Sequence, residues 1–342
     1  MLLNKNDDIE LHIDSVSLTG SGVGRYNGLA VFVPATAPGD IIEAHIIKAK
    51  KSYAVGKCTK IIKPSPDRTD NDCPAYPGCG GCSFRHMSYG AELKLKSDAV
   101  SDAFSRIGGL DVELKPIIGA DSPDGYRNKA QYPVGHENGE LKIGFYSRRS
   151  HRIVDCRACR LAPPEFEKIL GTVADWIEKY NISVYDETSR SGAVRHIYLR
   201  KAFATGEIGL SMADRAEELI GIETVAPAIE DAKKNAAANG IENARFICAD
   251  AGEAAEKLLA EGKRPEVIVL DPPRKGCSEQ TVRAAAGMAP DRIVYVSCDP
   301  ATLARDCAVF KELGYEVEEA TPVDLFPRTA HVETVCLLSR AI

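Results

Sequence analysis

One cysteine occupies a position suited to nucleophilic chemistry. Cys298 lies in the segment VSCDP, after an apolar stretch that predicts a β-strand and before a helix predicted to begin near Ala301. Thiolates are stabilised near helix N-termini and are strong nucleophiles. A cysteine at a strand end is more often structural than reactive, so its position alone does not establish catalysis. Glu333, in the segment TAHVET, is the acidic residue that we expect to act as a base alongside this nucleophile.

Three carboxylates follow successive predicted strands in the C-terminal part of the chain. Glu223 ends the segment IGIE, Asp250 ends the segment CAD, and Asp271 follows the apolar run EVIVL. A carboxylate at the end of the second strand of a nucleotide-binding sheet accepts hydrogen bonds from ribose hydroxyls. Each residue alone is a weak signal, but three at successive strand ends predict a site for a nucleoside-containing cofactor.

A second group of cysteines has the spacing of a metal site. Cys73, Cys79 and Cys82 lie within CPAYPGCGGC, where proline and glycine residues turn the chain tightly. A four-thiolate centre needs a fourth ligand, and Cys156 and Cys159 in VDCRACRL are both candidates. Zinc and a 4Fe–4S cluster both accept four cysteines, so the spacing leaves the metal open. Three cysteines so close together argue against merely buried thiols.

The elements that must position these residues change in kind along the chain. Residues 1–62 predict short strands with glycine-rich turns, which is typical of a small β-barrel of the OB type. After a proline-containing linker, residues 63–200 mix strands and helices in a central α+β region that contains the cysteine group. Residues 201–342 alternate strands and helices, which predicts a Rossmann-like parallel sheet with ligands at the carboxyl ends of its strands.

Composition indicates a globular protein and limits its partners. Hydrophobic residues make up 44% of the 342 residues, and no apolar run is long enough to cross a membrane. The acidic N-terminus lacks the pattern of a signal peptide, so we expect a cytoplasmic protein whose cysteines serve metal binding, catalysis or burial. The net charge of −6 does not suggest a nucleic-acid partner, but basic clusters in the first 200 residues do. Among them, Arg127 and Lys129 are the residues that we expect to contact RNA.

Eight segments, taken in order, resemble the RNA uracil-5 methyltransferase family. They are CPAYPGCGGC, YRNKAQYPV, VDCRACRL, RHIYLRK, IGIE, LDPPRKG, VSCDPATLARD and HVETV. The resemblance covers essentially the whole chain. It is closest to the 23S ribosomal RNA enzymes, which carry an N-terminal TRAM domain and a 4Fe–4S cluster.

This resemblance implies S-adenosylmethionine-dependent methylation of C5 of a uridine, and we expect the protein to be a monomer. The implied target is 23S ribosomal RNA, with transfer RNA as the alternative. Cys298 would add to C6 of the base, which makes C5 nucleophilic, and Glu333 would then remove the C5 proton. The resemblance assigns contacts with the methyl donor to Glu223, Asp250 and Asp271. It assigns the cluster ligands to Cys73, Cys79, Cys82 and Cys159.

One segment expected from the resemblance is missing. Between the strand near Lys201 and the helix near Gly209, the family has a Phe-Phe-Gln-x-Asn segment, a helix and an Asp-Leu-Tyr-Cys-Gly-x-Gly strand and turn; this chain lacks them. We interpret this as an internal deletion that removes the first, central strand of the C-terminal sheet. A central parallel strand is buried on both faces, so its loss would expose the edges of its neighbours. The alternative function is therefore an RNA-binding iron–sulfur protein with an inactive methyltransferase domain.

Two other enzyme classes are disfavoured. An amino-group methyltransferase would carry an aromatic residue after Asp-Pro-Pro, where this chain has Arg274, and that chemistry needs no cysteine. A nicotinamide-dependent dehydrogenase would carry a G-x-G-x-x-G segment, which the sequence lacks.

Overall fold

The computed structural model describes residues 3–17, 19–70, 72–201 and 216–341. By contacts the chain divides into two compact units. The first comprises Met1–Lys96, Gly119–Ala202 and Asp324–His331, and the second comprises Ser97–Ile118, Phe203–Val323 and Val332–Ile342. The domain boundaries that we predict near residues 62 and 200 remain predictions. No helix in the described ranges is both long enough and apolar enough to cross a membrane.

The first unit begins with a six-stranded sheet that agrees with the predicted N-terminal strand domain. Its strands are β1 (Asp8–His12), β2 (Ser15–Val16), β3 (Ser21–Tyr26), β4 (Leu29–Pro34), β5 (Ile41–Ala49) and β6 (Tyr53–Lys63). They lie in the order β1-β5-β6-β4-β3-β2. Alternate side chains are buried, as with Ile9 and Leu11 of β1, because successive residues of a strand point to opposite faces.

A second sheet of the first unit is antiparallel and packs against one helix. Its strands are β7 (Lys129–Glu137), β8 (Glu140–Tyr146), β9 (Ile153–Asp155) and β10 (His196–Arg200), in the order β10-β7-β8-β9. Helix α2 (Glu165–Lys179) buries Phe166, Leu170, Ala174 and Ile177, whose spacing places them on one face. These side chains join Tyr132, Val134 and Ile143 in one hydrophobic core. Helix α1 (Tyr89–Ala103) precedes this sheet in the chain.

The second unit has the alternation of strands and helices that the sequence predicts. In chain order its elements are β11 (Leu219–Glu223), α3 (Ala226–Ala238), β12 (Ala244–Cys248), α4 (Ala251–Ala260), β13 (Val267–Leu270), α5 (Glu279–Gly287), β14 (Arg292–Ser297), α6 (Pro300–Glu312), β15 (Tyr315–Val323) and β16 (Glu333–Arg340). The sheet is not wholly parallel, because β16 follows β15 without a crossover helix and pairs antiparallel with both β14 and β15.

The strands of the second unit form two separate ladders within the described residues. One joins β11 to β12 in parallel, and the other runs in the order β13-β14-β16-β15. Val267 and Val269 of β13 are 51% and 45% exposed, although a central parallel strand is normally buried on both faces. The stretch 202–215, where we predict the deletion, lies outside the described residues. The lost strand therefore remains a prediction, with which the two ladders agree.

Candidate active site

A tight junction between β14 and α6 presents Cys298. Strand β14 ends at Ser297, and Asp299 caps the N-terminus of α6. The Asp299 carboxylate accepts hydrogen bonds from the backbone N–H groups of Ala301 and Thr302 at 3.0 and 3.2 Å. Pro300 occupies the first turn, where its missing N–H is not needed. Cys298 is held, partly exposed, between an ordered strand end and a capped helix.

Strand pairing brings Glu333 next to Cys298. Ser297 of β14 pairs with Thr334 of β16, so the residues that follow and precede them lie side by side at one end of the sheet. The two side chains interact electrostatically: burial raises the pKa of the Cys298 thiol, and the Glu333 carboxylate raises it further. The nucleophile and the base that we predict from sequence are therefore neighbours.

Arg274 is a third charged residue at this site, and from the sequence we noted it only as standing where an aromatic side chain would be. It lies on the exposed turn after β13, next to Asp271 in the segment DPPR. Its guanidinium lowers the pKa of Cys298 and of Glu333, opposing the burial that raises both. Asp271 raises the pKa of Glu333. Only the segment LDPPRKG, ahead of the cysteine motif, could have drawn attention to this cation.

The charge balance keeps Cys298 protonated in the absence of substrate. The pKa of a cysteine at a helix N-terminus is normally lowered. Here the pKa of Cys298 is raised, because burial and the Glu333 carboxylate outweigh the effect of Arg274. The pKa of Glu333 is also raised, chiefly by burial, which brings this carboxyl group closer to the range in which it can accept and release a proton near neutral pH.

The predicted donor-binding carboxylates fall into two groups. Glu223 and Asp250 lie at the carboxyl edge of the β11–β12 ladder, where Glu223 pairs with Cys248. Glu223 accepts hydrogen bonds from the Val225 N–H at 2.9 Å and the Thr224 hydroxyl at 3.0 Å, and these bonds lower its pKa. Asp250 caps α4 by accepting from the Gly252 N–H at 2.9 Å. Asp271 belongs to the other ladder and lies near Glu333.

Five cysteines line one cavity in the first unit. They are Cys73, Cys79, Cys82, Cys156 and Cys159. The thiol of Cys156 is hydrogen-bonded to both Cys73 and Cys159. Within the described residues, no three side chains of cysteine, histidine or acidic type are close enough to hold a single metal ion. The thiols are therefore gathered around one space without converging on one point.

The two residues expected to contact RNA differ in their surroundings. Arg127 lines the cysteine cavity, and its Nη2 atom donates to the Gly81 carbonyl at 3.4 Å. Lys129 is exposed at the start of β7, with its Nζ atom 5.2 Å from the centre of the Tyr198 ring. Tyr198 is itself 53% exposed. An exposed cation beside an exposed aromatic ring suits nucleic acid better than the partly buried Arg127 does.

Comparison with known proteins matches the N-terminal and the C-terminal parts of the chain to the domains that the sequence predicts. Residues 196–341 match the family model tRNA (Uracil-5-)-methyltransferase, and residues 5–59 match the TRAM domain. An uncharacterized RNA methyltransferase of Clostridium tetani is 34% identical over 447 aligned positions, which cover 98% of this chain and 97% of that protein. A second, from Clostridium acetobutylicum, is 34% identical over 451 positions, which cover 99% of this chain and 98% of that protein. Both alignments exceed the 342 residues of this chain, so each relative has positions without a counterpart here.

A solved structure shares the fold across nearly the whole chain. It is the Pyrococcus abyssi tRNA (uracil-54, C5)-methyltransferase in complex with S-adenosyl-L-homocysteine, with a TM-score of 0.73 and 20% identity. The match covers 96% of this chain and 100% of that one. The fold prediction of an N-terminal TRAM-like domain followed by a methyltransferase domain is thereby confirmed.

Proposed function

We propose that this chain, which belongs to the family of S-adenosylmethionine-dependent RNA uracil-5 methyltransferases, methylates C5 of a uridine through a covalent adduct on Cys298. The observation that carries the proposal is the pairing of β14 with β16, which sets Cys298 beside Glu333. A thiol next to a carboxyl group of raised pKa is the pair that this reaction needs, since one group must add to the base and the other must remove a proton.

The chain's own residues carry out the addition to the uracil ring and the removal of the C5 proton. S-adenosylmethionine supplies an electrophilic methyl group when bound. The Cys298 thiol gives up its proton to solvent, its sulfur forms a bond to C6 of the uracil, and the ring electrons move to O4 to give an enolate. C5 then bonds to the methyl group, whose bond to the donor's sulfonium sulfur breaks, so that S-adenosyl-L-homocysteine would be the leaving group. Glu333 takes the proton from C5, the C5–C6 double bond re-forms, and the cysteine leaves as a thiolate.

Arg274 favours the two charged forms that these reaction steps require, the thiolate of Cys298 and the carboxylate of Glu333. Its guanidinium lowers the pKa of Cys298, which favours the thiolate, and that of Glu333, which favours the carboxylate. Burial acts in the opposite direction on both groups and is the larger effect. Arg274 is thus the electrostatic partner of the two reacting side chains.

The test of this proposal is a release assay with RNA tritiated at C5 of uridine. The protein should release tritium to water only with S-adenosylmethionine present, and Cys298→Ser should release none above background. Release by the serine variant at the parent rate would contradict the covalent route. Fragments of 23S ribosomal RNA and transfer RNA transcripts are compared in the same assay, because the TRAM domain and cysteine cavity favour the former while the Pyrococcus enzyme is named for the latter.

The donor-binding role of Glu223, Asp250 and Asp271 is supported by their positions at strand ends. Glu223 is exposed and its pKa is lowered, so it remains ionised and able to accept hydrogen bonds from ribose hydroxyls. Calorimetry with S-adenosylmethionine tests donor binding directly. Micromolar binding that weakens in Glu223→Ala would support the enzyme. The absence of binding would favour an RNA-binding protein with an inactive transferase domain.

We also propose a 4Fe–4S cluster held by Cys73, Cys79, Cys82 and Cys159, which are among the five cysteines that line the cavity. The ligand chemistry fits, because five cysteines line this cavity and such clusters are held by cysteine thiolates. Four cysteines are also a ligand set of structural zinc, so the measurement must distinguish the two. Metal and acid-labile sulfide are measured on protein purified without oxygen. Iron with matching sulfide would support the cluster, whereas zinc without sulfide would contradict it.

A further inference from the structure

A buried carboxylate on α6 has no role in the reaction proposed above. Asp306 lies two turns after Cys298 and is 2% exposed. Its Oδ2 atom accepts hydrogen bonds from the Tyr295 hydroxyl at 2.5 Å and from the Cys277 N–H at 2.8 Å. Its Oδ1 atom accepts from Nε and Nη2 of Arg305 at 2.8 and 2.6 Å. Both oxygens are therefore satisfied by groups that connect α6 to β14 and to the chain before α5.

The same helix also binds the carbonyl groups of the turn that carries Arg274. Arg305 Nη2 donates to the carbonyls of Lys275 and Cys277 at 3.0 and 3.3 Å. The Thr302 hydroxyl donates to the Arg274 carbonyl at 3.2 Å. Arg274, Lys275 and Cys277 are thus all held to α6 through their backbone carbonyls.

Gly276 shows how closely the turn rests on α6. Its φ of 75° is a left-handed conformation that favours glycine. A Cβ atom at this position would lie 2.5 Å from Arg305 Nη2 and 2.6 Å from Asp306 Oδ2. The turn is closed by a hydrogen bond from the Gly276 N–H to the Pro273 carbonyl at 2.8 Å. No side chain fits between the turn and the two charged residues beneath it.

We propose that Asp306, together with Arg305 and Tyr295, is a positioning group that holds the turn 273–276 so that Arg274 faces Cys298 and Glu333. This inference rests on the proposed function for its catalytic meaning. The effect of Asp306 on the reactivity of the Cys298 thiol can be tested without RNA methylation. Asp306 itself touches neither the uracil nor the methyl donor in this account.

The direction in which the pKa of Cys298 changes when Asp306 is replaced distinguishes a positioning role from a direct charge effect. Removing the negative charge of Asp306 would, by itself, make Cys298 easier to deprotonate, because a nearby anion disfavours a thiolate. Displacing Arg274 has the opposite result, since Arg274 lowers the pKa of Cys298. Glu333 and Asp299, the other charged groups facing Cys298, are unchanged in the comparison.

The experiment is the alkylation of Cys298 by iodoacetamide as a function of pH, followed by peptide mass spectrometry. We compare the parent with Asp306→Asn, Arg274→Gln and the double variant. Asp306→Asn should move the midpoint to higher pH, as Arg274→Gln does, and the double variant should match Arg274→Gln alone. Lys311→Gln removes an exposed cation from the same helix away from the turn, and should leave the midpoint in place.

An unchanged or lower midpoint in Asp306→Asn, or additive shifts in the double variant, would overturn the proposal. If Asp306→Asn does not fold, Tyr295→Phe removes one hydrogen bond to Asp306 without a change of charge and is subject to the same criteria. If the chain methylates RNA, Asp306→Asn should lower kcat/KM by about tenfold to a hundredfold, as expected for a misplaced catalytic group. Because alkylation needs neither RNA nor methyl donor, failure of the proposed function would not obscure this result.

Discussion

Replacing Lys96 by methionine tests the most deeply buried charge network of the first unit. The Lys96 ammonium is 3% exposed and donates to Glu92 at 2.8 Å and to Asp324 at 2.7 Å. It also donates to the carbonyl of Phe326 at 3.2 Å. The two carboxylates are essentially inaccessible to water, so the network joins α1 to the segment that leads into β16. Methionine has a similar volume and removes only the charge and its hydrogen bonds.

The size of the stability loss depends on the hydrogen bonds that Glu92 and Asp324 keep after Lys96 is replaced. Breaking a buried ion pair by removing one partner costs about 3–5 kcal/mol. Glu92 retains the Arg328 N–H at 2.6 Å, and Asp324 retains the Tyr89 hydroxyl at 3.0 Å. Because each carboxylate keeps at least one donor, we expect the lower end of that range, about 3 kcal/mol.

The loss should also depend on pH. Burial is the largest effect that raises the pKa of Glu92, and Lys96 opposes it, so the substitution raises this pKa further. A carboxyl group whose pKa is higher in the folded than in the unfolded state destabilises the fold once it is ionised. The deficit should therefore be largest at alkaline pH and should shrink as the pH falls and Glu92 becomes protonated.

Urea unfolding followed by the fluorescence of Trp176 measures this effect, since the chain's single tryptophan lies in the same unit. Lys96→Met with Asp324→Asn should recover part of the loss, because one uncompensated charge is removed. Lys94→Met, on the exposed side of α1, serves as the matched control. A loss below about 1 kcal/mol, typical of surface pairs, or a loss independent of pH, would refute the reasoning.

Three further predictions concern the sites. Glu333→Gln should lower the rate of methyl transfer by about a hundredfold to ten-thousandfold. It should also move the alkylation midpoint of Cys298 to lower pH, because the carboxylate that raises the pKa of this thiol is gone. Equal turnover, or a midpoint at higher pH, would contradict this. Cys159→Ser should lower bound iron and sulfide more than Cys248→Ser, a cysteine outside the cavity, as checked by metal analysis. Asp250→Ala should destabilise the protein by about 1 kcal/mol through loss of the α4 cap and weaken S-adenosylmethionine binding in calorimetry, whereas Asp250→Asn should keep most of the stability.

The sequence predicted the family and the main elements because these depend on local pattern. The apolar stretch in RIVYVS marked β14, and Asp-Pro after Cys298 marked the start of α6. Comparison with known proteins confirmed the family, and the strand–helix order of the second unit followed the predicted one.

Features that depend on distant pairing could not be predicted from local pattern. Cys298 and Glu333 lie side by side only because β16 inserts antiparallel between β14 and β15. The importance of Arg274 likewise depends on contacts from α6, which no spacing in the sequence reveals. For the cysteines, the sequence left Cys156 and Cys159 as alternatives from spacing, and folding brings both to the same cavity.

The central claim, that Cys298 bonds to C6 of the uracil, is tested most directly with RNA that carries 5-fluorouridine. Fluorine at C5 leaves no proton for Glu333 to remove, so the adduct cannot resolve after methyl transfer. Incubation with S-adenosylmethionine, followed by digestion and mass spectrometry, should find a methylated fluorouridine bound to the peptide that contains Cys298. A link to another cysteine, or no link at all, would contradict the account.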